Sequence, residues 1–155
     1  MSEFYISAIP TDVNWQPTTD TADAAEAYVR RIFPDPDGTL QEVEVEFHDR
    51  IRVVHPGESL ERITCPRCSG DIPLDWFQDL VEEAEEEFDS LDVTVPCCSA
   101  LVPLDTLHYD WPCGFARFEI GIRDACRPEY EFTDEELAEL AGILGHPVRQ
   151  ILAHF

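Results

Sequence analysis

The sequence has 155 residues, 44% of them hydrophobic, which predicts one folded domain with an inserted or appended subdomain and excludes a disordered acidic chain. Aspartate and glutamate total 33 against 10 basic residues, so the formal net charge is -23. A surface of that charge repels nucleic-acid phosphates and anionic membranes, and we expect direct binding to neither. Basic proteins are the favoured partners. All the basic residues are arginine, so adaptation to salt or to a GC-rich genome is an alternative explanation of the charge.

The N-terminal residues predict no export signal. The first twelve contain Glu3, lack a basic segment and have no long apolar core. No apolar run elsewhere approaches the length of a membrane span. We therefore expect a cytoplasmic protein without a membrane partner, and in that reducing compartment a Cys-x-x-Cys pattern is more typical of a metal site than of a disulfide.

In the first part of the chain, the pattern predicts a strand, a helix and two further strands. Residues 4–9 form an apolar strand, and residues 19–32 form an amphipathic helix capped by Thr19 or Asp20. A turn is predicted at 34–38. Residues 40–48 then alternate between apolar and polar side chains, as a half-buried strand requires, and a turn at Asp49 and Arg50 leads into a strand at 51–54.

The rest of the chain predicts three helices and two strands. Asp75 caps an acidic helix that reaches Phe88, followed by a short strand at 93–95 and a longer strand at 117–123. A capping box at Thr133 and Glu136 opens a helix that ends near Gly145, and Pro147 opens a last helix to the C-terminus. No internal repeat is apparent.

These elements predict an α+β fold, with a small antiparallel or mixed sheet that has helices on one face. Residues 1–57 and 111–155 form the predicted α+β core. Residues 58–110 form a zinc-ribbon-like insert that carries the acidic helix.

Cysteines at the two ends of this insert predict a structural zinc site. Cys65-Pro66-Arg67-Cys68, followed by a small residue and glycine, is typical of a turn that directs two thiolates at a tetrahedral ion. Cys97 and Cys98 supply the other half. They are adjacent, and neighbouring side chains of a strand point to opposite faces, so both reach one ion only if the chain turns sharply there. If one of the pair does not bind, the predicted replacements are Cys113, His55 and His108.

The motifs indicate no catalytic group, and we expect a protein that is not an enzyme. There is no phosphate-binding loop, no dinucleotide fingerprint and no His-Glu-x-x-His pair. Four cysteines also close the coordination shell that a catalytic zinc keeps open. A thiol redox role for Cys65 and Cys68 is the alternative chemistry. Cys113 and Cys126 flank a predicted strand, which prevents them from pairing with each other.

The Cys65–Cys68 segment resembles the knuckles of zinc-ribbon proteins. Further segments are similar to a group of uncharacterised acidic bacterial proteins, largely actinobacterial: Ile9–Asp12 with Trp15, Pro96–Cys98, Trp111–Phe118 and Leu144–Arg149. The resemblance implies the metal ligands Cys65, Cys68, Cys97 and Cys98, and it implies no particular activity. Cys113 and Ser99 depart from that pattern.

The acidic helix is the predicted partner-binding surface. Its exposed glutamates are Glu82, Glu83, Glu85, Glu86 and Glu87. Anions near a helix C-terminus are unfavourable, and no arginine stands three or four residues away to compensate. The sequence therefore predicts a small acidic interaction or inhibitor protein that engages a basic partner protein. The alternative is a salt-adapted structural or housekeeping protein without such a partner.

Overall fold

A computed structural model describes residues 4–35 and 41–154. Its main sheet has five strands, namely β1 (Phe4–Pro10), β2 (Glu42–Val54), β5 (Glu87–Phe88), β9 (Gly114–Arg123) and β10 (Val148–His154). Their order in the sheet is β10-β1-β9-β2-β5, and every neighbouring pair is antiparallel. The predicted α+β class is confirmed. Most of the turn predicted at 34–38, and the start of the strand predicted at residue 40, lie outside the described residues.

Two helices cover one face of this sheet, namely α1 (Thr19–Ile32) and α3 (Asp134–Leu144). Their buried side chains form one core with alternate residues of the central strands, including Ile6, Phe118 and Ile120. The α3 prediction is confirmed in detail, since Thr133 and Glu136 form the capping box and Gly145 ends the helix at φ 78°. The prediction that Thr19 or Asp20 caps α1 is wrong. The cap is Thr18, whose backbone is extended and whose side-chain oxygen accepts a hydrogen bond from the Thr21 N–H.

The predicted last helix is wrong, because residues 148–154 form the edge strand β10. This segment pairs with the whole of β1, from Val148 opposite Pro10 to His154 opposite Phe4. Its buried residues are Ile151 and Ala153, which alternate with less buried neighbours as in a strand. Seven residues are few for a helix, so tertiary pairing decided the structure of this segment.

The predicted turn at Asp49 and Arg50 is also wrong. β2 is continuous, and residues on both sides of this point pair with β9. The register shifts between Phe47 and Arg52, so the extra residues form a bulge and not a reversal. The backbone carbonyl of His48 accepts hydrogen bonds from Gln16 Nε2 at 2.9 Å and from Arg117 Nε at 3.3 Å, which fixes the bulge.

The segment between β2 and β9 contains two smaller sheets and one helix. The first sheet joins β3 (Ile63–Thr64), β4 (Asp71–Ile72) and β8 (His108–Tyr109), and the second joins β6 (Asp92–Thr94) and β7 (Leu101–Pro103). The short strand predicted at 93–95 corresponds to β6. The two small sheets and the helix share one hydrophobic core, which also contains Val53 of β2 and Phe115 of β9. The insert therefore packs on the main sheet.

The helix of the insert, α2 (Leu74–Glu83), is shorter than predicted. Pro73 occupies the cap position, and Asp75 lies in the first turn. Glu85 and Glu86 have φ values of 55° and 67°, which end the helix, and Glu87 belongs to β5. Within the described residues, no helix is both long enough and apolar enough to cross a membrane.

Candidate metal centre

Four cysteine sulfurs of the insert lie close together. The Sγ atoms of Cys65, Cys68, Cys97 and Cys98 all lie within 4.8 Å of one another, and those of Cys65 and Cys98 are 3.8 Å apart. Four sulfurs placed tetrahedrally at about 2.3 Å from a zinc-sized ion would be separated by about 3.8 Å. The donor set therefore fits a tetrahedral, thiolate-binding metal ion.

Two turns of the same conformation place these cysteines. In the first, Cys65 N–H donates to Gly70 O at 2.9 Å and Ser69 N–H donates to Cys65 O at 3.0 Å. In the second, Val95 N–H donates to Ala100 O at 3.0 Å and Ser99 N–H donates to Val95 O at 3.0 Å. Ser69 and Ser99 both have a φ of 62°. This is the sharp turn that the adjacent cysteines required.

The equivalence extends beyond the turns, so the insert contains an internal repeat that the sequence analysis missed. Residues 63–77 align with residues 93–107, and a short strand precedes and follows each turn. The second Pro-Leu-Asp begins a 3-10 helix where the first begins α2. Identical residues occupy seven pairs of positions: Thr64 and Thr94, Pro66 and Pro96, Cys68 and Cys98, Ser69 and Ser99, Pro73 and Pro103, Leu74 and Leu104, and Asp75 and Asp105.

The repeat is broken at the metal ligands. Val95 stands where the first turn has Cys65, and both side chains are fully buried. Cys97 stands where the first turn has Arg67. The missing thiol of the second turn is thus replaced by a thiol two residues later, which explains why Cys97 and Cys98 are adjacent.

Backbone N–H groups stabilise negative charge on the sulfurs. Arg67 N–H donates to Cys65 Sγ and Gly70 N–H donates to Cys68 Sγ, both at 3.3 Å. Backbone hydrogen bonds from Cys68 and Arg67 lower the pKa of Cys65 to about 7, and the one from Cys68 has the larger effect. Partial desolvation and hydrogen bonds with Cys68 and Cys65 raise the pKa of Cys97 to about 12. Four thiolates at this spacing therefore need a cation among them.

The three alternative ligands lie outside this cluster. His55 Nδ1 accepts the Gly57 N–H at 2.8 Å, and burial lowers its pKa. His108 belongs to β8, where it pairs with Thr64. Cys113 is buried beside β9, and burial raises its pKa to about 12. Cys113 and Cys126 lie at opposite ends of β9 and do not pair with each other.

The five predicted partner-binding glutamates fall into two groups. Glu82, Glu83 and Glu85 are exposed, and none of them forms an ion pair with a described residue. Glu86 Oε2 lies 2.9 Å from Arg52 Nη2, and Glu87 lies 4.0 Å from the guanidinium groups of both Arg50 and Arg52. The charge of the second group is compensated within the protein.

A second cluster of ionisable side chains went unnoticed in the sequence. Glu46 and His48 of β2 and Glu119 of β9 bring three donor atoms within 4.8 Å of one another. The hydrogen bond with Glu119, followed by burial, raises the pKa of Glu46 to about 7. Burial opposes ionisation of Glu119, but hydrogen bonds from His48 and Glu46 lower its pKa overall. Only the register of β2 and β9, which pairs Glu46 with Glu119, reveals this cluster.

Comparisons with protein-family models, with curated proteins and with solved structures gave no match. The two clusters and the charge of the surface are therefore the features that bear on function.

Proposed function

We propose that this protein is a small acidic binding protein, an interaction or inhibitor protein held in shape by a structural zinc ion, that engages a basic surface of another protein. The observation that carries the proposal is the group of exposed carboxylates at Glu82, Glu83 and Glu85, which lack arginine partners among the described residues. They stand on the insert that also holds the four clustered cysteines.

The arginines do not neutralise this surface. Six of them form ion pairs with carboxylates elsewhere: Arg30 with Glu26, Arg50 with Asp89, Arg52 with Glu86, Arg62 with Asp71, Arg123 with Glu42, and Arg127 with Glu136. The acidic residues outnumber the basic ones by more than three to one, which leaves a large excess of negative charge. Such a surface accelerates association with a positive patch.

The choice of zinc rests on ligand chemistry. Four thiolates in a tetrahedron are typical of structural zinc, and such a shell leaves no position for a substrate. The strands beside the two turns are only two or three residues long, so they are too short to be stable alone. Zinc bound to all four sulfurs would link both halves of the repeat and position α2 with its carboxylates. Elemental analysis of protein purified without chelator should find one zinc per chain.

Charge reversal tests the partner. We would capture basic proteins from a lysate of the native host, and then measure the affinity of each for the wild type and for a variant in which Glu82, Glu83 and Glu85 are replaced by arginine. The control variant replaces three other exposed acidic residues, Asp23, Glu58 and Glu61, by arginine. They lie outside α2 and its following turn, and the change in net charge is the same as in the first variant.

A specific partner should lose affinity at least about tenfold with the first variant, keep most of it with the control, and bind more weakly as salt increases. Equal losses with the two variants would instead support a salt-adapted protein whose acidity has no dedicated partner, and so would failure to recover any basic protein.

A further inference from the structure

The face of the main sheet opposite α1 and α3 carries the second cluster. Glu46 and His48 are two residues apart on β2 and therefore point to the same side. Glu119 lies directly across from Glu46 on β9. His48 Nε2 is 3.1 Å from Glu119 Oε1 and 3.9 Å from Glu46 Oε2. One imidazole and two carboxylates thus converge from two rigid strands.

The burial of these groups is uneven. The side chains of His48 and Glu119 are 9% and 11% exposed, whereas that of Glu46 is 46% exposed. The cluster is therefore fixed in the sheet on one side and reaches solvent on the other.

Among the described residues, His48 is the only basic side chain that forms an ion pair with Glu46 or Glu119. Like charges directly opposite each other on neighbouring strands are destabilising, and a buried carboxylate is costly unless it is paired. A hydrogen bond between Glu46 and Glu119 relieves this repulsion when one of the two is protonated, and a bound cation would relieve it when both are ionised.

The space for an additional group is present. A cavity of about 240 Å³ opens along this face. Its lining includes Ser7, Gly121 and two of the clustered side chains, Glu46 and Glu119, whereas His48 does not line it. Gly121 contributes no side chain, and a Cβ atom there would have no neighbour closer than 3.9 Å. Ser7 is 7% exposed and hydrogen-bonds to Glu119, which fixes the orientation of that carboxyl group.

We propose that Glu46, His48 and Glu119 bind a first-row divalent transition metal ion as three protein ligands, with the remaining coordination positions open to the cavity. Ligand atoms about 2.1 Å from such an ion are separated by about 3.0–3.4 Å in octahedral or tetrahedral geometry, so small side-chain rotations suffice to reach it. Mixed imidazole and carboxylate ligands favour Mn²⁺, Fe²⁺, Co²⁺ or Zn²⁺ over Ca²⁺, and they differ from the thiolates of the cysteine cluster.

The two proposed metal sites differ in whether coordination positions remain open. A thiolate shell of four is closed, whereas a three-ligand site can hold water or an anionic ligand on the metal. Arg52 and Arg123 line the same cavity, but each forms an ion pair with a glutamate, and Glu42 and Glu44 line the cavity as well. This acidic lining favours water over an exogenous anion at the open positions of the metal.

The test uses the full chain with its cysteine site already loaded with zinc. Mn²⁺ alone is titrated at physiological ionic strength, with Mg²⁺ in excess to occupy the diffuse ion atmosphere, and free Mn²⁺ is measured by electron paramagnetic resonance. We expect one Mn²⁺ per chain for the wild type and a loss of affinity of at least about tenfold for Glu119→Gln and for His48→Gln. Ser7→Ala should weaken binding by about tenfold through the lost support of Glu119.

Glu83→Gln is the matched control, since it removes one exposed negative charge away from the cluster. Retained binding in Glu83→Gln together with loss in Glu119→Gln supports the site. Equal binding by these two variants, or no bound Mn²⁺ in the wild type, overturns it. Circular dichroism checks folding, and if Glu119→Gln fails to fold, Glu46→Gln replaces it, because the more exposed Glu46 tolerates the change. Retained binding in a folded Glu46→Gln protein would then overturn the proposal.

Discussion

Val95 occupies in the second turn the position that Cys65 occupies in the first, and both side chains are fully buried within one core. The backbone hydrogen bonds around the two residues are the same. The second turn can therefore accept a thiol at residue 95 without a change of fold, so the fourth metal ligand can be moved along the chain.

The first prediction follows from this equivalence. Cys97→Ser should reduce bound zinc below one ion per chain, or lower the affinity for zinc at least about tenfold, because one thiolate is lost. Val95→Cys combined with Cys97→Ser should restore stoichiometric binding, since it recreates in the second turn the spacing of Cys65 and Cys68. Competition with a chromophoric chelator measures both affinities. An equally weak double variant would show that the two turns are not equivalent at the metal.

Removal of the metal should unfold the insert while leaving the main sheet intact. The strands β3, β4, β6 and β7 are too short to be stable alone, whereas β1, β9 and β10 pair over many residues and share a core with two helices. Hydrogen exchange with and without a chelator is the measurement. Amides of residues 63–65 and 93–95 should lose protection, and those of 118–122 should keep it. Uniform loss over the chain would contradict a local role for the metal.

Metal binding should release protons. The pKa of Cys97 is raised to about 12 and that of Cys98 is also raised, so both thiols are protonated near neutral pH without metal. Because the ligands are thiolates, zinc binding near neutral pH should release at least two protons per chain and should weaken as pH falls. Calorimetry in buffers of different ionisation enthalpy counts them. The Cys97→Ser variant should release fewer, and an unchanged count would exclude Cys97 as a ligand.

Arg127 and Glu136 should contribute to stability at neutral pH and lose that contribution in acid. Arg127 donates to both carboxylate oxygens at 2.7 Å, and this interaction lowers the pKa of Glu136 to about 2 from its ordinary 4.5. The folded pKa is depressed, so the contribution is complete above about pH 4.5 and is lost as pH falls towards 2.

Glu136→Gln should therefore lower the free energy of unfolding by about 2 kcal/mol at pH 7 and flatten its pH dependence in that window. Glutamine keeps the capping box, so the helix start is preserved. Glu135→Gln, at an exposed neighbouring position, serves as the control and should change little. Denaturant unfolding at several pH values gives both results, and a similar loss in the two variants would contradict the assignment.

Gly57 and Gly142 should respond to alanine in opposite directions. Gly57 has a φ of 72°, and a Cβ atom there would lie 2.2 Å from the backbone oxygen of His154. Gly57→Ala should thus lower the free energy of unfolding by more than about 2 kcal/mol. Gly142 is exposed within α3 and has open space around it, so Gly142→Ala should raise that free energy by about 1 kcal/mol. Thermal unfolding of the metal-loaded proteins compares them, and losses in both would refute the distinction.

Short-range patterns in the sequence determined much of this protein. The capping box at Thr133, the helix stop at Gly145 and the Cys65–Cys68 turn depend on neighbours within a few residues, and the structure has all three. The α+β class followed from the apolar run at 4–9 and from the periodicity of residues 19–32 and 117–123, which each show one clear apolar face. Local sequence is sufficient wherever the hydrogen-bond partners are themselves local.

Tertiary structure decided the rest. Residues 148–154 fit a short helix as well as a strand by themselves, and pairing with β1 made them β10. The bulge in β2 replaced a predicted turn because β9 pairs with both of its halves. The identities between residues 63–77 and 93–107 already stand in the sequence, and the matching hydrogen bonds of the two turns show that Val95 takes the place of Cys65. The register of β2 against β9 brought Glu46 and Glu119 together, since residues far apart in sequence meet only through the sheet, and sequence periodicity carries no information on which strands become neighbours.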